Sequence, residues 1–366
     1  MSSGTALSDG TAISDDDTRW SPDRAHAWTR SRGWRVGCNF TPSVASNQLE
    51  MWRAETFDPA ALERELDFAA GLGFTSVRIF LHDLLWTHER EGFLERIDRF
   101  LGLASARGIG ALVVLFDGVW DPHPKWGPQP EPRPGIHNSR WLQSPGAAIL
   151  GDPSRHDELA PYVQGVIDRF RDDPRIDGWD LFNEPDNPNF AYRDSEIPEK
   201  GERALELLAK TFAWARAVDP SQPLTTGLWL GDWSEPEKLR DIERFCLDHS
   251  DVISFHHYGD LPDLRSRVEA LRRYERPLWC TEWLARGMGS RFDPHLAWMR
   301  DESVGAYCWG LVAGRTQTHL PWDSWAKPYT QEPDPWHHEI LHADGTPYDE
   351  SEVRFIRAIT EPSRDS

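Results

Sequence analysis

Two glutamates stand where apolar stretches typical of buried strands come to an end. Glu184 comes after the run Ile176–Phe182, and Glu282 comes after the run Pro277–Thr281. Cleavage of a glycosidic bond needs two carboxyl groups, because one protonates the leaving oxygen while the other attacks the sugar or activates water. A single strand-end glutamate is more often an ion-paired structural residue, but two of them predict a sugar-cleaving site.

The neighbourhood of Glu184 suits a proton donor. Trp179, Phe182 and Pro185 make its surroundings partly apolar. Apolar surroundings disfavour a carboxylate, so we expect Glu184 to stay protonated near neutral pH. The amide of Asn183 offers a group that could hold a sugar hydroxyl beside the reacting carbon. Together these features are typical of a general acid/base.

Glu282 is expected to be the opposite case, a carboxylate kept ionised by nearby hydrogen-bond donors. The candidate donors are Arg78, at the end of the second predicted strand, and Tyr258, at the end of the sixth. An ionised carboxylate paired with a protonated one would divide the roles of nucleophile and acid between two similar side chains.

Short β-rich runs alternate with longer helical patterns from Arg35 onward. The predicted strands are Arg35–Phe40, Ser76–Leu81, Ala111–Phe116, Ile176–Phe182, Leu224–Trp229, Val252–His256, Pro277–Thr281 and Gly305–Trp309. The predicted helices are at about Pro59–Leu72, Gly92–Arg107, Glu158–Arg171, Glu199–Val218, Glu235–Asp248, Leu261–Tyr274, Asp293–Met299 and Ser351–Ile359. This alternation predicts an α/β protein with a (β/α)8 TIM barrel, whose active site lies at the C-terminal mouth of the strands. A doubly wound sheet is the alternative, but no glycine-rich phosphate loop follows the first strand.

The chain is expected to form a single catalytic domain over residues 31–366, preceded by a disordered polar tail over residues 1–30. Two strand-to-helix connections are unusually long, from Gly118 to about Asp157 after the third strand and from Gly310 to about Tyr348 after the eighth. Long connections on the catalytic face of a barrel are often lids or binding loops, although proline-rich tracts can also be spacers.

Composition limits the class of partner. The formal net charge is -20, so nucleic acid and anionic lipid are unfavourable partners and a neutral ligand such as a carbohydrate fits better. No stretch approaches the ~20 apolar residues of a membrane span, which indicates no membrane partner. The chain has 19 tryptophans, and the apolar face of a sugar packs well on aromatic rings.

The first twenty residues have neither a basic start nor an apolar run. We therefore expect a cytoplasmic protein, unless an export signal has been removed. The four cysteines lack metal-type C-x-x-C spacing, and we expect buried free thiols at Cys38, Cys246, Cys280 and Cys308.

One combination of strand-end residues resembles a known family. The combination consists of Arg78, Asn183-Glu184, His256-His257-Tyr258, Glu282 and Trp309. It is similar to the catalytic face of clan A retaining glycoside hydrolases, and most like the cellulase-like family 5. The resemblance spans Arg35 to about Trp309 and implies a (β/α)8 barrel, with Glu184 as acid/base and Glu282 as nucleophile.

The same resemblance implies roles for the neighbouring side chains. Arg78 would brace the nucleophile, and Asn183 would bind the hydroxyl at C2. His256 and Tyr258 would match the family's His-x-Tyr, and Trp309 would form the sugar platform.

The sequence departs from the family at the end of the third strand, where the family usually carries a histidine. This chain has Leu115-Phe116-Asp117-Gly118 there, so Asp117 or His82 is expected to substitute as a substrate-binding group. Trp283, directly after the second glutamate, is a further expected sugar contact. Other tryptophans lie just past strand ends, and about half of these are expected to contact the ligand: Trp86, Trp120, Trp229 and Trp233.

These observations predict a retaining glycoside hydrolase that cleaves a β-type bond by double displacement without a cofactor. The long loops favour action on chain ends or short oligosaccharides. A transglycosidase using the same site is the first alternative, and a non-catalytic glycan-binding barrel is the second. A metal-dependent hydrolase is the third alternative, but we expect no metal.

Overall fold

The computed structural model describes residues 19–361. Nine parallel strands form its single sheet, and the strands are β1 (Val36–Asn39), β2 (Ser76–Phe80), β3 (Gly110–Asp117), β4 (Ile176–Asn183), β5 (Leu224–Thr225), β6 (Gly227–Leu228), β7 (Ile253–His256), β8 (Leu278–Trp283) and β9 (Gly305–Trp309). Their order in the sheet is β5-β4-β3-β2-β1-β9-β8-β7-β6. Almost every strand residue is buried, as expected for parallel strands covered on both faces.

The two edges of this sheet close the barrel. Only Thr226 separates β5 from β6, so the two short strands form one interrupted strand that pairs with β4 through its first half and with β7 through its second. The Thr226 hydroxyl donates to the carbonyl of Phe182 at 2.8 Å. Eight strand positions therefore surround the core, and the predicted (β/α)8 barrel is confirmed.

Helices surround the sheet. They are α1 (Pro22–Arg32), α2 (Gln48–Trp52), α3 (Pro59–Gly71), α4 (Asp83–Ser105), α5 (Ala147–Leu150), α6 (Ala160–Arg169), α7 (Lys200–Val218), α8 (Asp241–His249), α9 (Leu261–Arg272), α10 (Phe292–Asp301) and α11 (Glu350–Thr360). Several of them begin at a side-chain cap: at α3, for example, the Asp58 side chain accepts from the backbone N–H groups of Ala60 and Ala61, and Pro59 supplies the first turn. None of the helices within residues 19–361 is long and apolar enough to cross a membrane.

The predicted polar tail over residues 1–30 is wrong in its last third. Residues 1–18 lie outside the described residues, but α1 begins at Pro22, with the Ser21 side chain as its cap. The Nε1 of Trp28 donates to the carbonyl of Asp177 at 3.1 Å, and Arg32 pairs with the carboxylate of Asp177 at 2.9 Å. Because α1 is held mainly by tertiary contacts, its own weak apolar pattern did not predict it.

The two long connections are present and pack on each other. We call residues 118–146 the β3 loop and residues 310–349 the β9 loop. The carbonyl of Gly135 accepts from the N–H of Tyr329 at 2.9 Å. Position 135 has a φ of 74°, and a Cβ there would lie 2.0 Å from the Tyr329 carbonyl oxygen, so this junction requires glycine. The loops thus form one body above the barrel mouth.

The four cysteines are buried and free, as predicted. Three of them lie in strands, at Cys38, Cys280 and Cys308, and the fourth, Cys246, lies in α8. They act as small apolar side chains of the core.

Candidate active site

Both predicted glutamates lie at the C-terminal mouth of the barrel. Glu184 directly follows β4, and Glu282 is the penultimate residue of β8. They line one cavity of about 800 Å³. One oxygen of each carboxyl group and one ring nitrogen of His256 all lie within 4.8 Å of one another. Parallel strands end at the same face of the barrel, which brings together two residues far apart in sequence.

The backbone of Glu184 has an unusual conformation. Its φ is 41°, in the left-handed region that non-glycine residues seldom adopt, a feature concentrated at functional sites. The β3 loop starts against it, since a Cβ at Gly118 would lie 2.3 Å from the Glu184 carbonyl oxygen. The two strand ends are therefore locked together beside the carboxyl group.

The carboxyl group of Glu184 is buried, with only 7% of the residue exposed. Its Oε2 accepts from the Asn187 amide at 2.5 Å, and its Oε1 lies 2.6 Å from Nδ1 of His256. Burial raises the pKa of Glu184 to about 7, against the opposing effects of the Asn187 hydrogen bond and the Arg78 charge. A carboxyl group with this pKa can act as an acid at neutral pH.

His256 is neutral at neutral pH, because burial lowers its pKa to about 4. Its Nδ1 lies 2.6 Å from Glu184 and 3.5 Å from Oε2 of Glu282. The ring therefore contacts both carboxyl groups without adding a positive charge, which would otherwise favour loss of the Glu184 proton.

Glu282 has the two donors expected from the sequence. Its Oε1 accepts from Nη1 of Arg78 at 2.8 Å, and its Oε2 accepts from the Tyr258 hydroxyl at 2.7 Å. Burial raises the pKa of Glu282, whereas the nearby His256 and Arg78 and the Tyr258 hydrogen bond act in the opposite direction. Hydrogen bonds from a cation and a phenol stabilise the carboxylate form. The contacts therefore favour the state in which Glu282 carries the charge and Glu184 carries the proton.

Arg78 is fully buried and holds several site residues together. Besides Glu282, its guanidinium donates to Asn39 at 2.8 Å, to Asn183 at 2.7 Å and to Asp180 at 2.8 and 3.1 Å. Asp180 was not among the residues predicted from the sequence. The available signal was a charged residue within the buried β4 run, because a buried charge requires a partner.

Asn183 has a defined amide orientation. Its Oδ1 faces Arg78, and its Nδ2 donates to Oδ1 of Asp117 at 3.0 Å. The other oxygen of Asp117 accepts from Nε1 of Trp141 at 2.6 Å. Burial raises the pKa of Asp117 to about 6. At the position where the family usually carries a histidine, the carboxyl group of Asp117 therefore orients Asn183.

Two expected substrate contacts are wrong. His82 is fully buried outside the cavity, and its Nδ1 accepts from the backbone N–H of Leu84 as the cap of α4. Trp283 is also buried outside the cavity and packs edge-on against Phe292, with ring centroids 5.1 Å apart. Successive strand residues point to opposite faces, so the inward side chain of Glu282 leaves Trp283 facing the surrounding helices.

The other expected substrate-binding residues lie at the cavity or directly behind it. The cavity is lined by Asp117, Asn183, His256, Tyr258 and Trp309, whereas Arg78 lies behind them. Among the further strand-end tryptophans, Trp120 and Trp229 line the cavity, and Trp86 and Trp233 do not.

Five residues of the long loops also line the cavity, although the sequence did not predict them as substrate-binding residues. The β3 and β9 loops add His137, Trp141, Trp322, Trp325 and His338 to the cavity lining. Their only signal in the sequence was the enrichment of both loops in tryptophan and histidine.

Glu184, His256 and Glu282 also form the one cluster within residues 19–361 whose spacing could hold a metal ion. The Arg78 guanidinium already occupies one Glu282 oxygen at 2.8 Å, and the Tyr258 hydroxyl occupies the other. A metal ligand needs a free lone pair and no competing cation, so these residues fit a carboxylate pair better than a resident metal.

The chain is similar to a family of glycosyl hydrolases and to a mannosidase. The family described as "Glycosyl hydrolase catalytic core" matches residues 181–317. A probable mannan endo-1,4-beta-mannosidase F of Emericella nidulans is 25% identical over 214 residues, which are 52% of this chain and 45% of the relative. The chain thus spans less than half of that relative's length.

Solved structures share the fold. A GH5_18 variant from Streptomyces cattleya in complex with Manb1-4GlcNAc has a TM-score of 0.58 at 18% identity, over 89% of this chain and 79% of that one. The exo-beta-1,4-mannosidase of Opitutaceae bacterium strain TAV5 has a TM-score of 0.55 at 21% identity, over 90% of this chain and 60% of that one.

The barrel and its paired carboxyl groups are similar to those of the clan A glycoside hydrolases. Within that class, the chain is similar to the cellulase-like family 5, and its residues 181–317 match the glycosyl hydrolase catalytic core.

Proposed function

We propose that this protein hydrolyses β-mannosidic bonds with retention of anomeric configuration. The observation that carries the proposal is the separation of the carboxyl groups, whose nearest oxygens lie within 4.8 Å of each other. Retaining enzymes place the two groups about 5–5.5 Å apart, whereas inverting enzymes leave about 6.5–9.5 Å for a water molecule. The short separation supports direct attack by a carboxylate.

In the first step, the carboxylate of Glu282 attacks the anomeric carbon while Glu184 transfers its proton to the departing oxygen. In the second step, Glu184 removes a proton from water, and the resulting hydroxide displaces Glu282 and releases the sugar. Arg78 and Tyr258 hold the attacking carboxylate in place. One N–H of the Asn183 amide is used by Asp117, and the second remains for the hydroxyl at C2.

The shape of the cavity supports action on chain ends or short oligosaccharides. The Trp120 ring of the β3 loop stacks on Trp325 of the β9 loop, with centroids 5.4 Å apart, and both rings line the cavity. The opposite rim is open and apolar, with Phe190, Leu230 and Met288 each more than half exposed. These three residues follow β4, β6 and β8, not the two strands that carry the long loops, and they leave room for a leaving group.

The choice of sugar comes from the relatives. The name of the Emericella nidulans relative gives mannan as its substrate, and the name of the TAV5 protein gives exo-acting β-1,4-mannosidase activity. A β-mannoside is therefore the substrate that we propose for this chain.

Three measurements test this function. NMR of the first product from 4-nitrophenyl β-mannoside should show the β-anomer, and an α-anomer as first product would contradict retention. A panel of nitrophenyl glycosides should show the fastest turnover for the mannoside. With a soluble mannan and its oligomers, we expect monosaccharide release. Early mid-length fragments would instead indicate cleavage within chains, and products longer than the substrate would indicate transglycosylation.

A further inference from the structure

We propose that His137 and His338 form a subsite that accepts hydrogen bonds from the hydroxyls of the terminal sugar, on the ring edge opposite its anomeric carbon. This inference rests on the proposed function and adds to it the residues that recognise a free chain end. Neither histidine belongs to the set of strand-end residues that carries the family resemblance.

Both rings are oriented by the same kind of contact. Nδ1 of His137 lies 2.7 Å from the carbonyl oxygen of Leu320, and Nδ1 of His338 hydrogen-bonds to the carbonyl of Leu284. A carbonyl can only accept, so Nδ1 must carry the proton in each ring. In a neutral imidazole, the other nitrogen, Nε2, then has a free lone pair and acts as an acceptor.

Burial keeps both rings in this form. Each residue is only 1% exposed. Burial lowers the pKa of His137 to about 3 and holds the pKa of His338 well below its ordinary value. Both rings are therefore neutral at neutral pH.

The two acceptor atoms are available to a ligand. Both residues line the cavity, and the hydrogen bond of each ring within the described part of the chain is made through Nδ1, which leaves Nε2 for a ligand. A ligand that covers these atoms must supply a donor to each, because a buried acceptor without a donor is unfavourable. Sugar hydroxyls are donors of this kind.

The position of the pair identifies which part of the sugar it meets. The two imidazole centroids are 5.4 Å apart. The His338 centroid lies 5.6 Å from the ring of Tyr258 and 6.4 Å from the ring of Trp309. Tyr258 contacts the nucleophile, and Trp309 is the expected sugar platform.

A sugar seated on Trp309 with its anomeric carbon at Glu282 would present its far edge, with the hydroxyls at C3 and C4, to the imidazoles. A chain that continued through the oxygen at C4 could not donate from that oxygen. The pair would therefore favour a terminal residue.

A substitution can remove the Nε2 acceptor of each histidine while keeping the hydrogen bond that its Nδ1 makes to a backbone carbonyl. In the His137→Asn and His338→Asn variants, the shorter amide can still donate to the Leu320 or Leu284 carbonyl but does not reach the position of Nε2. In the corresponding Gln variants, an amide oxygen reaches that position. His319→Asn is the matched control, because His319 lies in the same loop as His338 but outside the cavity lining.

The experiment measures kcat/KM on 4-nitrophenyl β-mannoside and on its 3-deoxy and 4-deoxy analogues. We expect removal of a recognised hydroxyl to cost the wild-type protein about 10-fold, the effect of one hydrogen bond at the upper end of its usual range. An Asn variant should lose about 10-fold on the parent glycoside and lose nothing further on the matching deoxy analogue. The Gln variant should recover part of the lost kcat/KM on the parent glycoside. His319→Asn should show the same ratio of kcat/KM between the parent glycoside and its deoxy analogues as the wild type.

Two results would overturn the inference. One is a loss of kcat/KM on the deoxy analogues, relative to the parent glycoside, that is as large in both Asn variants as in the wild type. The other, which needs no variant and so does not depend on their folding, is full wild-type activity on both deoxy analogues. Failure of the proposed function would instead appear as absence of mannoside turnover. In that case the comparison is made by calorimetric titration with mannose and 4-deoxymannose, and equal or undetectable binding of the two sugars would refute the subsite.

Discussion

Tyr258 provides the sharpest test of how the carboxyl pair divides its roles. Its hydroxyl donates to Oε2 of Glu282 at 2.7 Å, and Glu282 is buried. Tyr258→Phe removes this donor and leaves Arg78 as the partner of the other oxygen. A hydrogen bond to a charged group contributes about 1.5–3 kcal/mol. Because one pKa unit corresponds to about 1.4 kcal/mol, the pKa of Glu282 should rise by about 1–2 units.

The sign of the effect on activity follows from the role of Glu282. Only its carboxylate form can attack, so its pKa sets the acid side of the pH profile of kcat/KM. Loss of a donor that stabilises the carboxylate raises that pKa and moves the acid side to higher pH. The alkaline side depends on protonated Glu184, whose pKa burial raises to about 7, and should stay in place. The pH profile of kcat/KM should therefore be narrower in the variant, with a lower maximum.

The assay is the pH dependence of kcat/KM on 4-nitrophenyl β-mannoside, from acid to mildly alkaline pH. Tyr329→Phe is the matched control, since the Tyr329 hydroxyl contacts Asp323 at 3.0 Å at an exposed position. An acid side that is unchanged in Tyr258→Phe would refute the assignment of Glu282 as the ionised nucleophile. A shift of the alkaline side alone would refute the division of roles.

The remaining predictions concern the same group of residues. Glu184→Ala should lose about 10²–10⁴-fold on a disaccharide and far less on a dinitrophenyl glycoside, whose leaving group needs little protonation; equal losses would contradict its role as the acid. Glu282→Ala should abolish turnover of both substrates, and substantial residual turnover would exclude it as nucleophile. Arg78→Met leaves buried Asp180 and Glu282 without their cation, so the free energy of unfolding, measured with urea, should fall by about 3–5 kcal/mol; an unchanged value would contradict the bracing role. A chelator should leave activity unchanged, whereas a loss restored by zinc would support the metal-dependent alternative.

Much of the fold could be predicted from patterns along the chain. The predicted last strand, Gly305–Trp309, has the observed bounds, and the helix predicted from Pro59 ends within one residue of its observed end. The predicted fifth strand is interrupted at Thr226, where its pairing passes from one neighbour to the other. Boundaries of this kind depend on hydrogen bonds to strands distant in sequence, so local patterns do not fix them.

The elements that were missed are held by distant partners. α1 has few apolar residues and is docked through Trp28 and Arg32 on Asp177. Asp180 was overlooked because its significance lies in its contact with Arg78. A short helix or a buried charge shows its role only when the partner is known, since either is unfavourable without one.

The sequence by itself determined the alternation of strands and helices and the placement of Glu184 and Glu282 at strand ends. Parallel strands then required the two carboxyl groups to meet at one mouth, because every strand of such a barrel ends there. Only the tertiary structure decided which side chains face the cavity: Trp283 points outward next to the inward Glu282, while His137 and His338 come together from two separate loops. The reason is physical. Strand and helix patterns are set by neighbours along the chain, whereas the contact between two long loops depends on groups that only folding brings together.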